Sequence, residues 1–478
     1  MIEPYPGWRL GMPNAVFQGR RSPANRLGFA VFSLFVVAAL LTPVSLAAQT
    51  ANPLLEMLKS PNADTRARAA RDIGKSGERS AIPALAEALK DPSEKVRREV
   101  VIALANFRQP EALDPLITAT RDSDSDTRVY AIEGLVGNYT GQTPSPGFTG
   151  FMKRGYRRAR SHFVTDTLRI DPGTWVEPKV IAALDAAMQD TSSIEAARQA
   201  AKGLGTLMAR SAVPDLVKSA HSLDPDLARE ALNALAKIKD TSAGPGLADL
   251  LDSPNLDVKR DAAVTVGLLR ARAAQPKLQS MFEKDADKKT REAALEGLAD
   301  LGDPAADPVF VKALSSEDKR YRALGAEGLG RAGDLEAAPE IDKALSLEKN
   351  AEAKLAMEYA LTALGQENHF GPLVDALASA LHSDSAEVYL IELSQNRKFL
   401  PKLYPYLNSQ DATVRKRLCT VLVFTGDQTS LDPLQRLAHD KDSEVASEAY
   451  RALRAIRARG ATSAAATSAG VRMRAAGG

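Results

Sequence analysis

The chain is 478 residues long, with 44% hydrophobic residues, only 5% aromatic residues and a formal net charge of +2. The small net charge excludes the global basic field of a nucleic-acid-binding domain, and the single cysteine, Cys419, excludes an internal disulfide and every multi-cysteine metal cage. The length is too great for one ordinary core, so we expect several domains or one elongated array of small helical units.

The first 48 residues have the three parts of a secretory signal peptide. An apolar run over residues 27–41 is followed by a small-residue cleavage site and preceded by three arginines, Arg20, Arg21 and Arg26. The run is 15 residues long, shorter than the roughly 20 apolar residues that a membrane-spanning helix needs. We therefore predict cleavage near Ala47 or Ala48 and an exported protein, periplasmic or secreted. The alternative is that residues 27–41 are retained as a membrane anchor.

From Asn52 onward the sequence repeats itself about every 31 residues. Each proline of the repeat is expected to open a first helix, because first-turn amides have no intrahelical partner and the missing N–H is harmless there. Apolar residues two and six positions later, such as Leu85 and Leu89, then lie on one helical face. The repeat prolines are Pro53, Pro83, Pro115, Pro214, Pro245, Pro276, Pro308, Pro339, Pro372, Pro401 and Pro433.

A second helix is predicted in each repeat, after a short turn rich in Asp, Ser, Asn and Pro. Its pattern is a basic or small residue, a small or apolar residue three positions later and an apolar residue at plus seven, as in Arg66, Ala69 and Ile73. These positions form one stripe, whose small residues allow a partner helix to approach closely. Glycine often follows, as Gly74 and Gly330 do, and is expected to end the helix in the left-handed conformation.

With these prolines and this second-helix pattern, the chain resembles the HEAT-repeat family, especially its short PBS-lyase HEAT-like repeats with an armadillo-like superhelix. The resemblance covers about residues 52–460 apart from one insertion, and it implies an all-α fold. That fold is a right-handed alpha-alpha superhelical solenoid of about twelve HEAT-like helix pairs, in which each repeat buries its apolar face against its neighbours. We place the repeats at residues 49–138 and 178–460, with second helices lining the concave face.

The resemblance also implies a structural ladder between neighbouring repeats, made by an Asp before the second helix and an Arg six residues later. The matching pairs are Asp91 and Arg97, Asp122 and Arg128, and Asp285 and Arg291. In other repeats the Asp is replaced, by Ser60, Ser316 and Ser409. We interpret the ladder arginines as residues that lace repeats together and not as ligand-binding residues.

An insertion at residues 139–177 interrupts the repeat, since the step from Arg128 to Ala197 is 69 residues. It holds the densest cluster of aromatics and cations after the signal peptide. Its candidate partner-binding residues are Phe148, Phe151, Lys153, Arg154, Tyr156, Arg157, Arg158, Arg160 and Trp175. Three interpretations stay open: a loop packed on the solenoid, a docking site for an acidic protein or polymer, or an attachment to anionic lipid headgroups.

Two further stretches depart from the repeat. At residues 370–399 the second-helix register is lost, which favours a bend in the stack. Residues 461–478 are rich in Ala, Ser, Thr and Gly and have nothing to pack, so we predict a disordered tail.

The sequence contains no phosphate-binding glycine loop, nucleophile elbow or zinc-binding histidine pair. Asp122, Asp124 and Asp126 imitate a calcium loop, but Thr127 occupies the position of its turn glycine, so we interpret them as an acidic helix start. Cys419 is expected to be buried and inert. The sequence therefore predicts no catalytic residue, no metal and no cofactor.

We expect a non-enzymatic, exported scaffold that mediates protein–protein interaction or complex assembly through its concave face and the insertion at 139–177. The predicted partner is a protein of unknown identity, with an anionic membrane surface as a second candidate and no nucleic acid. Two alternatives stay open. One is a bilin-lyase-like enzyme, implied by relatives with similar repeats, and the other is a membrane-anchored assembly factor.

Overall fold

A computed structural model describes residues 52–142 and 168–476, and the side chains up to residue 461. Within those ranges every regular element is an α-helix or a 3-10 helix. The predicted signal peptide at residues 1–48 and the centre of the predicted insertion lie outside the described residues. Residues from Leu54 onward form one unit.

The described residues form twelve helix pairs, numbered as repeats 1 to 12 in chain order. The first helices are Pro53–Met57, Ile82–Ala88, Pro110–Ala119, Pro178–Gln189, Val213–Ser219, Thr241–Asp252, Gln275–Lys284, Asp307–Leu314, Ala338–Leu347, Phe370–Asp375, Leu400–Leu403 and Leu431–Leu437. The second helices are Ala63–Ser76, Glu94–Phe107, Ser125–Thr140, Ile194–Thr206, Pro225–Ile238, Leu256–Leu268, Lys288–Leu301, Lys319–Ala332, Ala351–Ala363, Ser383–Ser394, Ala412–Thr425 and Ser443–Ala476. The predicted all-α solenoid of about twelve helix pairs is confirmed.

Short 3-10 helices supplement the first helices. Some lead into them, at Arg79–Ala81, Arg210–Ala212, Arg272–Ala274, Pro304–Ala306, Leu335–Ala337, Glu367–His369 and Gln428–Ser430. Two others follow the short first helices of repeats 10 and 11, at Ala376–Ala378 and Tyr404–Asn408. The first helices are thus shorter and less regular than the second helices.

Two of the repeat prolines do not open a helix, and the prediction for them is wrong. Repeat 3 begins its first helix at Pro110, whose fixed φ and missing N–H suit the first position, so Pro115 lies inside. In repeat 6 the first helix is a 3-10 helix with Pro245 inside, because this proline between Gly244 and Gly246 disfavours an α-helix. A position in the first turn is confirmed for Pro53, Pro83, Pro214, Pro276, Pro308, Pro339, Pro372, Pro401 and Pro433.

The glycines that end second helices are not the ones that the sequence pattern indicated. Gly74 and Gly330 lie inside their helices, where a Cβ on Gly74 would be 2.7 Å from the Cα of Ala103 in the next repeat. The left-handed residues follow three positions later, at Gly77 with φ 68° and at Gly333 with φ 77°. The earlier glycines therefore serve close packing between neighbouring second helices.

One continuous hydrophobic core runs along the stack, from Leu58 in repeat 1 to Ile456 in repeat 12. It is built mainly of Leu, Val, Ile and Ala side chains, contributed by the helices of successive repeats. Consecutive second helices pack on each other, as Ala63–Ser76 does on Glu94–Phe107. Each repeat therefore depends on its neighbours for the burial of its apolar face.

The two stretches that depart from the repeat pattern are also helical. Residues 370–399 contain repeat 10, with Tyr389 and Leu390 buried. In the structure the second helix of repeat 12 continues to Ala476, through most of the stretch for which the sequence predicts a disordered tail. Alanine is the strongest helix former and this stretch contains no proline, so its composition does not stop the helix.

Candidate functional site

The structure describes the two ends of the insertion, residues 139–142 and 168–177. Trp175 lies at the second end, and its side chain is 72% exposed. Because a tryptophan is a large amphipathic contact residue, this exposure makes Trp175 available to a partner. The other predicted partner-binding residues lie outside the described residues: Phe148, Phe151, Lys153, Arg154, Tyr156, Arg157, Arg158 and Arg160.

Residues 168–176, named the strap, bind the last repeat of the stack. The carboxylate of Asp171 accepts hydrogen bonds from Nε and Nη2 of Arg451, at 2.9 and 2.6 Å. Arg451 lies in repeat 12, 280 residues further along the chain, and its Nη1 also donates to Glu448 at 2.6 Å. Two carboxylates thus hold one guanidinium, and Asp171 does so in the fork geometry that strengthens such pairs.

The strap has two further attachments. The guanidinium of Arg169 lies over the ring of Phe424 in repeat 11, 3.9 Å from the ring centroid, and burial lowers the pKa of this arginine. On the other side, the N–H of Ile170 donates to the carbonyl of Thr206 in repeat 4 at 3.0 Å, and the Ile170 side chain is buried. The strap therefore joins repeat 4 to repeats 11 and 12.

On the second helices of repeats 7 to 10, one arginine is surrounded by three carboxylates. The guanidinium of Arg331 lies 3.0 Å from Glu392, 2.9 Å from Glu327 and 3.4 Å from Asp300. Burial opposes the charged form, but the surrounding anions outweigh it and the pKa of Arg331 is raised. The arginine is thus fixed by residues of repeats 7, 8 and 10.

Two stacked tyrosines complete this cluster. The rings of Tyr359 and Tyr389 have centroids 4.5 Å apart, and the hydroxyl of Tyr389 donates to Glu327 at 2.7 Å. Burial raises the pKa of both tyrosines, and the guanidinium of Arg331 lies over Tyr359 at 5.5 Å. This part of the face that the second helices form, named the inner face, is therefore filled by the protein's own side chains.

A second arginine of repeat 8 has an acidic setting beside the first. Arg320 lies 3.1 Å from Glu296, 3.4 Å from Glu292 and 3.5 Å from Glu352. Burial raises the pKa of Glu296 to about 7 and that of Asp300 to about 6, although the neighbouring arginines oppose the rise. The inner face of repeats 7 to 10 is therefore acidic and holds carboxyl groups that titrate near neutral pH.

Repeats 5 and 6 end their second helices with cations in a strained conformation. Lys239 and Arg270 have φ of 54° and 55°, a region that glycine occupies in the next two repeats, at Gly302 and Gly333. Both cations are exposed, and among the described residues neither has a carboxylate within ion-pair distance. Burial of part of its side chain lowers the pKa of Lys239, against the attraction of Asp300 and Glu392. Arg270 donates from Nη1 to the carbonyl of Leu301 at 2.8 Å, so in the described part of the chain both side chains are cations without a carboxylate partner.

The predicted ladder residues pair from one repeat to the next. Arg97 forms a bidentate pair with Asp122 at 2.7 and 2.8 Å, and its Nη1 also donates to the carbonyl of Asp91 in its own turn at 3.0 Å. Arg66 contacts Asp91 in the same way, and Arg128 reaches Asp190 across the insertion at 3.1 Å. The same step is made by other pairs: Lys259 and Asp285, Arg322 and Glu348, and Arg415 and Asp440.

A family model of HEAT repeats matches residues 51–136, 181–267, 275–362 and 400–470, which together are more than half of the chain. The chain belongs to the HEAT-repeat family. The gap between the first two matched stretches contains the insertion and the strap. The matched stretches therefore cover most of the repeats and leave out residues 137–180 and 363–399.

Several solved structures are similar to this HEAT-repeat chain at low identity. Importin beta is 15% identical with a TM-score of 0.42, covering 90% of this chain and 68% of that chain. An engineered protein is 19% identical with a TM-score of 0.36, covering 85% and 98%. The complex of CpcE and CpcF of phycocyanin lyase from Nostoc sp. PCC7120 is 22% identical with a TM-score of 0.32, covering 53% and 94%. Among curated proteins there is no match.

The ladder of this HEAT-repeat chain has a second role that the sequence pattern did not reveal. Asp122 also accepts a hydrogen bond from the N–H of Asp124 at 2.8 Å, which shapes the turn before the second helix. Where serine replaces the acid, its hydroxyl accepts the same bond, as Ser222 and Ser253 do. Serine therefore keeps the turn and gives up the ion pair. Among the described residues, Arg291, whose next-repeat acid is replaced by Ser316, donates only to the carbonyls of Asp285 and Ala286.

The described residues otherwise offer little reactive chemistry. No group of three His, Cys, Asp or Glu side chains among them could hold a metal ion. The acids of the calcium-like stretch have other partners, because Asp122 binds Arg97 and Asp124 caps the helix through Thr127. Cys419 is buried, as predicted, and burial raises the pKa of its thiol to about 12. In the described ranges, none of the helices has both the length and the apolar character of a membrane span.

Proposed function

We propose that this chain is an exported HEAT-repeat scaffold that holds an acidic protein partner at the insertion and the adjoining inner face. The single observation that carries the proposal is the exposed indole of Trp175 on a strap attached to two distant parts of the stack. A large aromatic side chain on a fixed backbone loses little conformational entropy on binding, which is typical of an energetic anchor in an interface.

Charge supports an acidic partner. Lys239 and Arg270 are exposed and unpaired with carboxylates among the described residues, and the sequence of the insertion before Arg169 is rich in arginine and lysine. Cations without a carboxylate partner would attract the carboxylates of a partner and speed encounter with it. We therefore infer an acidic protein surface or segment as the partner.

The contacts within the cluster around Arg331 restrict where a partner can bind. Its carboxylates and tyrosines already bind each other, so a partner would have to break those contacts to enter. The proposed surface is therefore the strap and the ends of the second helices of repeats 5 and 6, which border the Arg331 cluster without being part of it. This restricts the expected concave-face binding to one part of that face.

Export rests on the first 48 residues and is part of the proposal. The apolar run at 27–41, the arginines before it and the small residues after it support a cleaved signal peptide. The alternative is a membrane-anchored assembly factor that keeps residues 27–41. N-terminal sequencing of the mature protein distinguishes them: a chain that begins near residue 48 supports export, and one that retains residues 27–41 supports the anchor.

Site-specific photo-crosslinking in the producing cell tests the binding surface. A photoreactive amino acid replaces Trp175, and in a matched control it replaces Leu347, which is 71% exposed on the first helix of repeat 9. We expect a discrete crosslinked protein from position 175 and none from position 347. The double variant Lys239→Gln and Arg270→Gln should reduce the product at least several-fold. Removing two exposed cations elsewhere, with Lys218→Gln and Arg272→Gln, should not. Equal products from both positions would contradict the proposal.

A further inference from the structure

The strap makes a connection that stacking alone does not provide. In a solenoid each repeat contacts its neighbours in the stack, so parts of the chain far apart in sequence are normally far apart in space. The strap binds Thr206 of repeat 4 through Ile170 and Arg451 of repeat 12 through Asp171. Two consecutive residues therefore bridge repeats that are eight steps apart in the stack.

We propose that the strap, residues 168–176, is a clasp that holds the superhelix closed between repeat 4 and repeat 12. The clasp is attached at separate points on the far side. Asp171 binds Arg451, Arg169 covers Phe424 of repeat 11, and the backbone at Gly173 lies against repeat 12. Because the attachments fall in two repeats, they fix the position of the C-terminal end of the stack and not only that of one side chain.

Gly173 shows how closely the clasp is seated. A Cβ at this position would lie 2.7 Å from the Cβ of Ala458, and the residue has φ +87°, which glycine adopts without strain. No larger residue fits there without displacing the strap or repeat 12. The seat is thus a backbone-to-helix contact with no room for a side chain.

The strap can also detach from repeat 12. The side chains of Asp171 and Arg451 are each 30% exposed, so water and salt reach their ion pair. By contrast, the pair of Arg331 and Glu392 joins repeats that are only two steps apart in the stack. Loss of the clasp contacts would leave that pair in place and free the C-terminal repeats to move away from repeat 4.

Distance measurement between spin labels tests the clasp in the full chain. In a Cys419→Ala background, cysteines replace Leu223 of repeat 5 and Tyr450 of repeat 12, both exposed. A second label pair, on Leu223 and the exposed Leu256 of repeat 6, measures a distance between neighbouring repeats that does not cross the clasp. We expect Asp171→Asn to lengthen or broaden the first distance by about 10 Å or more, roughly the spacing of one packed helix. The second distance should not change, and raised salt should shift the parent chain in the same direction.

Gly173→Ala provides an independent variant, and Gly333→Ala is its matched control. Gly333 has a similar φ of +77° but no atom within 4 Å of an added Cβ, so it carries the backbone strain without the contact. We expect Gly173→Ala to open the first distance and Gly333→Ala to leave it unchanged. Circular dichroism confirms that each variant is folded. An unchanged distance in folded Asp171→Asn, or equal distances in the two glycine variants, would overturn the clasp.

Discussion

Arg331 of repeat 8 and Glu392 of repeat 10 form an ion pair past an intervening repeat, with the guanidinium 3.0 Å from a carboxylate oxygen. Tyr359, on the intervening repeat, lies beneath the guanidinium and stacks on Tyr389 of repeat 10. Contacts between repeats that are not neighbours couple three units into one. We therefore expect repeats 8 to 10 to unfold together and not as independent units.

Replacing this arginine tests the coupling. Arg331→Met removes the cation from three buried or half-buried carboxylates, and breaking such a pair typically lowers the free energy of unfolding by about 3–5 kcal/mol. Arg291→Met is the control, because Arg291 binds only backbone carbonyls, and we expect a loss of about 1–2 kcal/mol. Urea unfolding followed by circular dichroism measures both. Equal losses would show that Arg331 has no special part in the coupling.

The two roles of the ladder acid, the ion pair and the turn hydrogen bond, can be measured separately at Asp122. Asp122→Ser keeps an acceptor for the N–H of Asp124 but loses the pair with Arg97, and Asp122→Ala loses both. We expect the alanine variant to be less stable than the serine variant by about 1 kcal/mol, the net value of one hydrogen bond. Ser222→Ala, at a repeat where serine is natural, should show the turn contribution alone. If serine and alanine at position 122 are equally destabilising, the turn bond contributes nothing.

The repeats were predictable because their information is local. The 31-residue spacing of prolines marks each repeat, and the helical spacing of apolar residues such as Leu85 and Leu89 predicts which helix face is buried. Both patterns lie within single repeats, so neither depends on how distant repeats are arranged. The helix ends were less predictable, because a glycine can be needed for two reasons that look alike in the sequence. Gly74 allows the next repeat to pack closely, whereas Gly77 ends the helix with a positive φ.

The inner cluster and the strap could not be predicted for a different reason. Whether Arg331 meets Glu392 depends on the curvature of the stack, which is the sum of small rotations between repeats and leaves no periodic signal. One signal was present, since Glu327 and Arg331 stand four residues apart on a helix otherwise rich in small and apolar residues. Asp171 and Arg451 are 280 residues apart and follow no shared pattern.

Close packing between neighbouring second helices predicts opposite effects for two glycine substitutions. A Cβ on Gly267 would lie 2.2 Å from the carbonyl oxygen of Gly297, so Gly267→Ala must push two helices apart and should lower the free energy of unfolding by about 1–3 kcal/mol or more. Gly460 lies in a helix with only the flexible Gln428 amide nearby, at 3.3 Å. Gly460→Ala should therefore raise stability by about 0.5–1 kcal/mol. Thermal unfolding compares the two variants, and a shift of the same sign in both would refute the packing argument.

The raised pKa of the Glu296 carboxyl group predicts how stability changes with pH. Burial raises its pKa from 4.5 to about 7 in the folded chain, so at pH 5 to 7 the folded chain keeps a proton that the unfolded chain releases. Stability should consequently fall as the pH rises through that window, and Glu296→Gln, which is neutral throughout, should reduce the fall by about 2 kcal/mol.

Asp287 provides the opposite case. Burial opposes its ionised form, but hydrogen bonds from Thr290 and Arg260 lower its pKa to about 2. Asp287→Asn should therefore lower the free energy of unfolding above about pH 4, and this deficit should shrink as the pH falls from about 4 to 2, where the parent chain loses the same contribution. Urea midpoints measured from pH 2 to pH 8 follow both variants. If the Glu296→Gln curve runs parallel to the parent curve between pH 5 and pH 8, the carboxyl of Glu296 is not protonated in the folded chain and the acidic inner face is more hydrated than its burial indicates.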